Sequence, residues 1–177
     1  ALHLSTPEGR VLKGVRDRFQ PELGFNLHDQ NRRTTVGNTP VLATISLLAV
    51  SGDREGTVTP GRARAKRVCS AIARALEAFV PGGIGRYDED WNPRAFGDNV
   101  TAWGTPVVLI ESGGVMPGRP LSDLTRLNYV ALLTALHGLV GDDLAGETPD
   151  LYESLKRNDD GYWTDVLLAG GRVLQPG

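Results

Sequence analysis

The residue types best suited to hydrolytic chemistry stand at the polar ends of two apolar segments: His28 follows LGFNL, and Glu111 closes PVVLIE. A neutral imidazole is a good zinc ligand, and a carboxylate beside it can take a proton from a water and return it to a leaving amine. The two residues lie far apart in the chain, and no HExxH or similar compact metal motif is present, so spacing alone makes the signal weak. The competing reading is a hydrogen-bonded histidine and a salt-bridged glutamate at strand ends. Asp29 is a candidate to orient His28 or a neighbouring arginine, with a turn cap as the alternative. Arg33, with Arg32, is a candidate for bidentate contact with a substrate carboxylate, against a solvated pair on a polar loop. Arg94 and Asp98, in NPRAFGD, flank the loop that leads to the Glu111 strand and are candidates to line a pocket; Pro93 and Gly97 offer turn structure as the competing explanation.

Other reactive types fit structural roles. His3 lies near the start and is expected to face solvent, and His137 sits late in an apolar helix. Cys69 is the single cysteine, which excludes an intramolecular disulfide and any multi-cysteine metal site without fixing the compartment. Its place on an apolar helical stripe suits a small hydrophobe better than a nucleophile. Trp91, Trp103 and Trp163 are too dispersed to form a nucleic-acid stacking platform.

Alternating helices and strands must position His28 and Glu111. Thr6-Pro7-Glu8 supplies an N-cap, a proline at the first helical position and an early acid, and Val11, Leu12, Val15 and Phe19 follow at helical spacing. A helix from about 7 to 19 therefore precedes the strand LGFNL, which delivers His28 to its C-terminal end. The polar loop QNRRTTVGNTP crosses to a buried strand at 43–50. From Gly61, a helical stripe of Ala65, Val68, Cys69, Ile72, Ala73, Leu76, Phe79 and Val80 runs until Pro81-Gly82-Gly83. IGRYDED reads as a short strand or extended segment and FGDNVTAWG as a short helix or loop. PVVLIE is dense and β-branched, as a central strand covered on both faces would be. A helix over 121–140 follows, with Leu124, Leu127, Ala131 and Leu136 among its core positions. After a loop at 142–149, a short helix near 150–157 precedes DVLLAGGRVLQ, which has the pattern of a β-hairpin turning at Gly170-Gly171.

The chain has 177 residues, 40% of them hydrophobic, enough for one globular domain with a sizeable core. Nineteen basic and 21 acidic residues give a net charge of -2 without long blocks of either sign. That balance argues against nucleic acid as the main partner, because phosphate binding rests on concentrated Lys and Arg. The longest apolar run, VLATISLLAV, is too short for a membrane span, which needs roughly 20 residues.

Taken together and in order, TPEGR, GFNLHDQN and RYDEDWNPRAFGDNVTAWGTPVVLIESGG resemble the C-terminal half of a zinc carboxypeptidase, the carboxypeptidase A-like family of metallopeptidases. The resemblance runs from about Thr6 to His137. It implies that His28 matches the family's third zinc ligand, a histidine at a strand end, and that Glu111 in VVLIESGG matches its general base. Tyr87 is a looser match to a tyrosine that contacts substrate upstream of that glutamate. The family also holds zinc through a His-x-x-Glu pair in its N-terminal half, and this chain has none: His3 is followed three positions later by Thr6, His28 by Asn31 and His137 by Val140. The family's substrate-carboxylate ligands also lie mostly upstream of the matched region.

The expected fold is therefore α/β, a mixed β-sheet sandwiched by helices as in a zinc carboxypeptidase, incomplete at its N-terminal side and ending in a small β-hairpin. Residues 1–142 are read as the C-terminal portion of a catalytic domain and 143–177 as a linker, short helix and hairpin appendage. The expected function is part of a zinc-dependent hydrolase that cleaves a peptide or peptide-like amide, with the missing N-terminal half of the domain as partner and this chain alone inactive. The rival expectation is a non-catalytic α/β binding or interaction domain that lacks the upstream ligands.

Overall fold

The computed structural model describes residues 4–87, 90–141, 143–163, 170 and 172. Helix α1 (Pro7–Phe19) starts where Thr6 Oγ1 accepts the Gly9 N–H at 3.2 Å, and it ends at Gln20, whose left-handed backbone turns the chain before Pro21. Strand β1 (Gly24–Asp29) follows, then a two-residue strand, β2 (Thr35–Val36), inside the segment expected to be loop. Strand β3 (Ile45–Ala49) is buried along its whole length. Helix α2 (Pro60–Glu77) is capped by Thr59, whose hydroxyl accepts the Arg62 N–H, and carries proline at its first position.

Strand β4 (Ile84–Arg86), helix α3 (Phe96–Ala102), strand β5 (Val107–Ser112) and helix α4 (Ser122–Val140) come next. A 3-10 turn (Asp143–Gly146), helix α5 (Asp150–Ser154) and strand β6 (Asn158–Asp159) complete the described elements. The expected C-terminal hairpin, 165–175, lies outside the described residues.

The main sheet has the order β1-β5-β3-β4. β1 runs parallel to β5, β5 antiparallel to β3, and β3 parallel to β4. The chain is thus α/β with a mixed four-stranded sheet flanked by helices. Both inner strands are wholly buried, as suits their mainly apolar sequences, and Ser46, Glu111 and Ser112 are buried with them. One face, carrying Ile45, Leu47, Ala49, Val108 and Ile110, packs on α2, α4 and α5 in a single core. Each fully buried Val, Leu or Ile there contributes roughly 1.5–3 kcal/mol relative to exposure. The other face carries Leu48, Val50, Val107 and Leu109, with Tyr87 and Val100 against them.

Several core expectations need adjustment. Leu127 and Ala131 of α4 are buried, but Leu136 is exposed; Ala135 and Gly138 carry the inward stripe instead. Phe79 falls beyond the end of α2 and is exposed. The apolar stripe of α1 is largely uncovered, with Val11 65% and Phe19 66% exposed. Residues after the 3-10 turn are tied into the main core: Tyr152 is fully buried, its hydroxyl accepts the Ala49 N–H at 3.2 Å, and its own N–H reaches Ser70 Oγ at 3.1 Å. β6 in turn pairs antiparallel with β2.

Candidate active site

Adjacent parallel strands bring the two chemistry-bearing residues together. His28 and Glu111 are register partners in β1 and β5, so their side chains leave the sheet on the same face. His28 Nδ1 lies 3.5 Å from Glu111 Oε1. Their surroundings differ: the imidazole is 54% exposed, the carboxylate 4%. β1 is an edge strand, which leaves His28 open, whereas β5 lies between β1 and β3.

Glu111 has an unusual environment for a carboxylate. Its Oε2 is buried and accepts no hydrogen bond. Burial raises its proton affinity above the ordinary carboxylate range; the charge of His28 acts against that, and the charge of Asp29 adds to it. A buried carboxylate whose proton affinity is raised is suited to proton transfer. Beside it, the Ser112 hydroxyl accepts from Asn128 Nδ2 of α4 at 2.9 Å, which ties the end of β5 to that helix. Gly113 and Gly114 are required for close approach: a Cβ at Gly113 would overlap the Ala43 carbonyl oxygen, and one at Gly114 the Arg32 carbonyl oxygen. IESGG therefore lets the chain leave the strand against backbone on both sides.

On the same face as Glu111, directly opposite it on β3, is a polar ring that the sequence reading did not include. Ser46, the register partner of Glu111, donates to Asn158 Oδ1 at 2.9 Å and accepts from Gln30 Nε2 at 3.0 Å. Asn158 Nδ2 closes the ring on Gln30 Oε1 at 2.6 Å, and Gln30 Nε2 also reaches the Ala43 carbonyl at 2.8 Å. The sequence signal was Ser46 itself, a polar residue inside VLATISLLAV; its partners, distant in sequence, carried none.

The other candidates are placed as follows. Tyr87 follows β4, donates its N–H to Leu47 O at 3.0 Å and packs on the Leu48–Leu109 side of the sheet. It also lines a polar cavity with Asp29 and Gln30. Arg33 borders a different cavity, with Pro40, Met116 and Trp163, and its N–H donates to Asn31 Oδ1. Arg94 is exposed in the loop before α3, where its N–H donates to Asn92 Oδ1 at 2.9 Å. Asp98 accepts the Asn92 N–H at 2.8 Å and so organises that loop; burial raises its proton affinity. Cys69 is fully buried, and burial pushes its thiol far above the ordinary range, which leaves no thiolate for nucleophilic work. His137 is exposed on α4.

A catalytic zinc ion takes three protein ligands. Among the described residues, no cluster of three or more His, Cys, Asp or Glu side chains could hold a metal ion. The described donors at this site thus supply one imidazole, and a zinc there fits only with ligands from elsewhere. No helix among the described residues is long and apolar enough to cross a membrane. No family model matches the chain, and neither a curated protein nor a solved structure matches it significantly.

Proposed function

We propose that this chain is the part of a zinc-dependent, carboxypeptidase-like hydrolase that carries one metal ligand, His28, and the general base, Glu111. The observation that supports this reading is the pairing of the two across adjacent parallel strands, one imidazole open to solvent and one carboxylate buried with an unpaired oxygen. When bound, the metal supplies Lewis-acid polarisation of the amide carbonyl and makes a water a competent nucleophile. Glu111 would take the proton of the attacking water as the C–O bond forms to the amide carbon, and would then hand it to the nitrogen as the C–N bond breaks. The raised proton affinity of Glu111 suits both halves of that shuttle. The substrate is a peptide or peptide-like amide, and Tyr87, on the same sheet face, is the aromatic candidate to contact it. Arg33 and Arg94 are the further candidates for substrate contact, although neither is among the residues that line the polar cavity with Tyr87.

A second reading draws on the same donor count: with one imidazole at the site and no metal cluster among the described residues, the fold also suits a non-catalytic binding domain. Hydrolysis separates the two. In the natural protein that carries this sequence, Glu111→Gln should stay folded and lose amide hydrolysis by at least about 100-fold, the scale of a general base. Turnover retained by that variant removes Glu111 from the base role; no hydrolysis by the wild-type protein of any blocked peptide or amide favours the binding domain.

A further inference from the structure

An apolar cavity of about 290 Å³ lies where the segments before β3, after α2 and after β5 meet the start of α4. Its walls are Val41, Leu42, Phe79, Val80, Val115 and Leu127. It borders the core formed by α2 and α4, to which Val80 and Leu127 belong, whereas Glu111, next to the inward Ile110 in β5, points to the opposite face of the sheet. The cavity is thus separate from the His28–Glu111 pair. Phe79 is 41% and Met116 54% exposed at its mouth, so apolar surface there stands open to water and favours whatever covers it. An apolar cavity of roughly 150 Å³ holds one benzene molecule, so this one has room for about eight carbons.

Guanidinium groups fix the polar end of what fits. Arg119, in the lining itself, donates from Nε to Asp123 Oδ2 at 2.5 Å, and its two terminal nitrogens make no hydrogen bond among the described residues. Asp123 thus holds the planar group by one corner and leaves its far edge for a second acceptor, a fork that a carboxylate matches with two parallel bonds. An adjoining cavity of about 490 Å³ shares Leu42 and Met116 with the first and is lined by Arg32 and Arg33. The Arg32 side chain is exposed and makes no hydrogen bond or ion pair among the described residues. Arginines in the two linings therefore outnumber the one acid, Asp123, and an anion complements them.

We propose that the joined cavities are a binding site for a small apolar carboxylate, an alkyl chain or ring of about eight carbons whose carboxylate meets the Arg119 fork in the positive field of Arg32. Its apolar part fills the space between Phe79, Val80 and Leu127. Asp123 orients the fork before the ligand arrives, and Met116, unbranched and polarisable, adapts to the ligand's shape. The site goes beyond the hydrolase reading and does not depend on it.

Met116 is the chain's single methionine and lines both cavities, so an isotope label on its methyl group gives one NMR signal at this site. Octanoate should move that signal saturably at neutral pH. Octanamide, of the same shape without the charge, should bind about five-fold more weakly, the scale of a partly exposed charge contact. Arg119→Gln should bring octanoate down to the affinity of octanamide and leave octanamide unchanged; the Arg119 side chain is 50% exposed, so the variant keeps the core intact. Val115→Trp should fill the cavity and abolish binding of both probes. Octanoate that leaves the Met116 signal in place, octanamide bound as tightly as octanoate, or unchanged octanoate affinity in a folded Arg119→Gln or Val115→Trp variant would overturn the proposal. The readout is binding without metal or turnover, so the hydrolase reading can fail while this site stands, and the reverse holds too.

Discussion

Replacing Glu111 by Gln should make the metal-free protein more stable at neutral pH, against the usual expectation for a buried site. The carboxylate is 4% exposed and one of its oxygens accepts no hydrogen bond. Leaving a buried polar group unpaired costs about 1–3 kcal/mol, more when it is charged. His28, at 3.5 Å, offsets part of that and Asp29 adds to it, so the net gain from the neutral amide is set at about 1–2 kcal/mol. The pH dependence follows from the raised proton affinity. Below the unfolded value, roughly pH 4.3, Glu111 is protonated in both states and costs nothing. As pH rises, the unfolded chain gives up this proton before the folded one does, so stability falls until the folded group also ionises. The wild-type and Gln proteins should therefore unfold at similar denaturant concentrations near pH 4 and diverge toward pH 7, with a difference of about 2–4 °C in Tm per kcal/mol for a chain of this length. Chemical denaturation in the presence of a chelator, at both pH values, measures it. A Gln variant less stable than wild type at pH 7, or a difference that does not change with pH, would refute the argument that burial dominates this carboxylate.

Two other substitutions test the surrounding structure. Gly113→Ala forces a methyl group onto the Ala43 carbonyl oxygen and should destabilise by about 1–3 kcal/mol, as overpacking does; a urea midpoint equal to wild type would show that the backbone there yields freely. Tyr152→Phe leaves the buried Ala49 N–H without its acceptor and should cost about 1–3 kcal/mol in the same assay; no loss would mean that another acceptor replaces the hydroxyl.

Much of this architecture was legible because local signals and burial agree. The Thr-Pro pair at 6–7 starts α1, the apolar stripe from Ala65 becomes the buried face of α2, and the mainly apolar runs at β3 and β5 become the two covered strands. The pairing of His28 with Glu111 was legible only as two strand ends; nothing in their spacing dictates that β1 and β5 are neighbours in parallel register. What was not legible depends on partners far away in sequence. β2 lies in a polar loop and exists because β6 pairs with it. Asn158 completes a ring with Gln30 and Ser46 that no local pattern announces. Helical periodicity places Leu136 and Phe79 on apolar stripes, yet which part of a stripe is covered depends on where the neighbouring helix ends. The uncovered stripe of α1 is the plainest case, since an amphipathic pattern records a preference for burial without supplying what buries it.

The measurement closest to the central claim is zinc stoichiometry and affinity in the natural protein that carries this sequence, compared with its His28→Ala and Glu111→Gln variants. One tightly bound zinc per wild-type molecule, weakened by at least about ten-fold in His28→Ala and kept in Glu111→Gln, is the predicted result. Zinc bound equally well without His28, or no zinc bound by the wild-type protein, would contradict the assignment of His28 as a metal ligand.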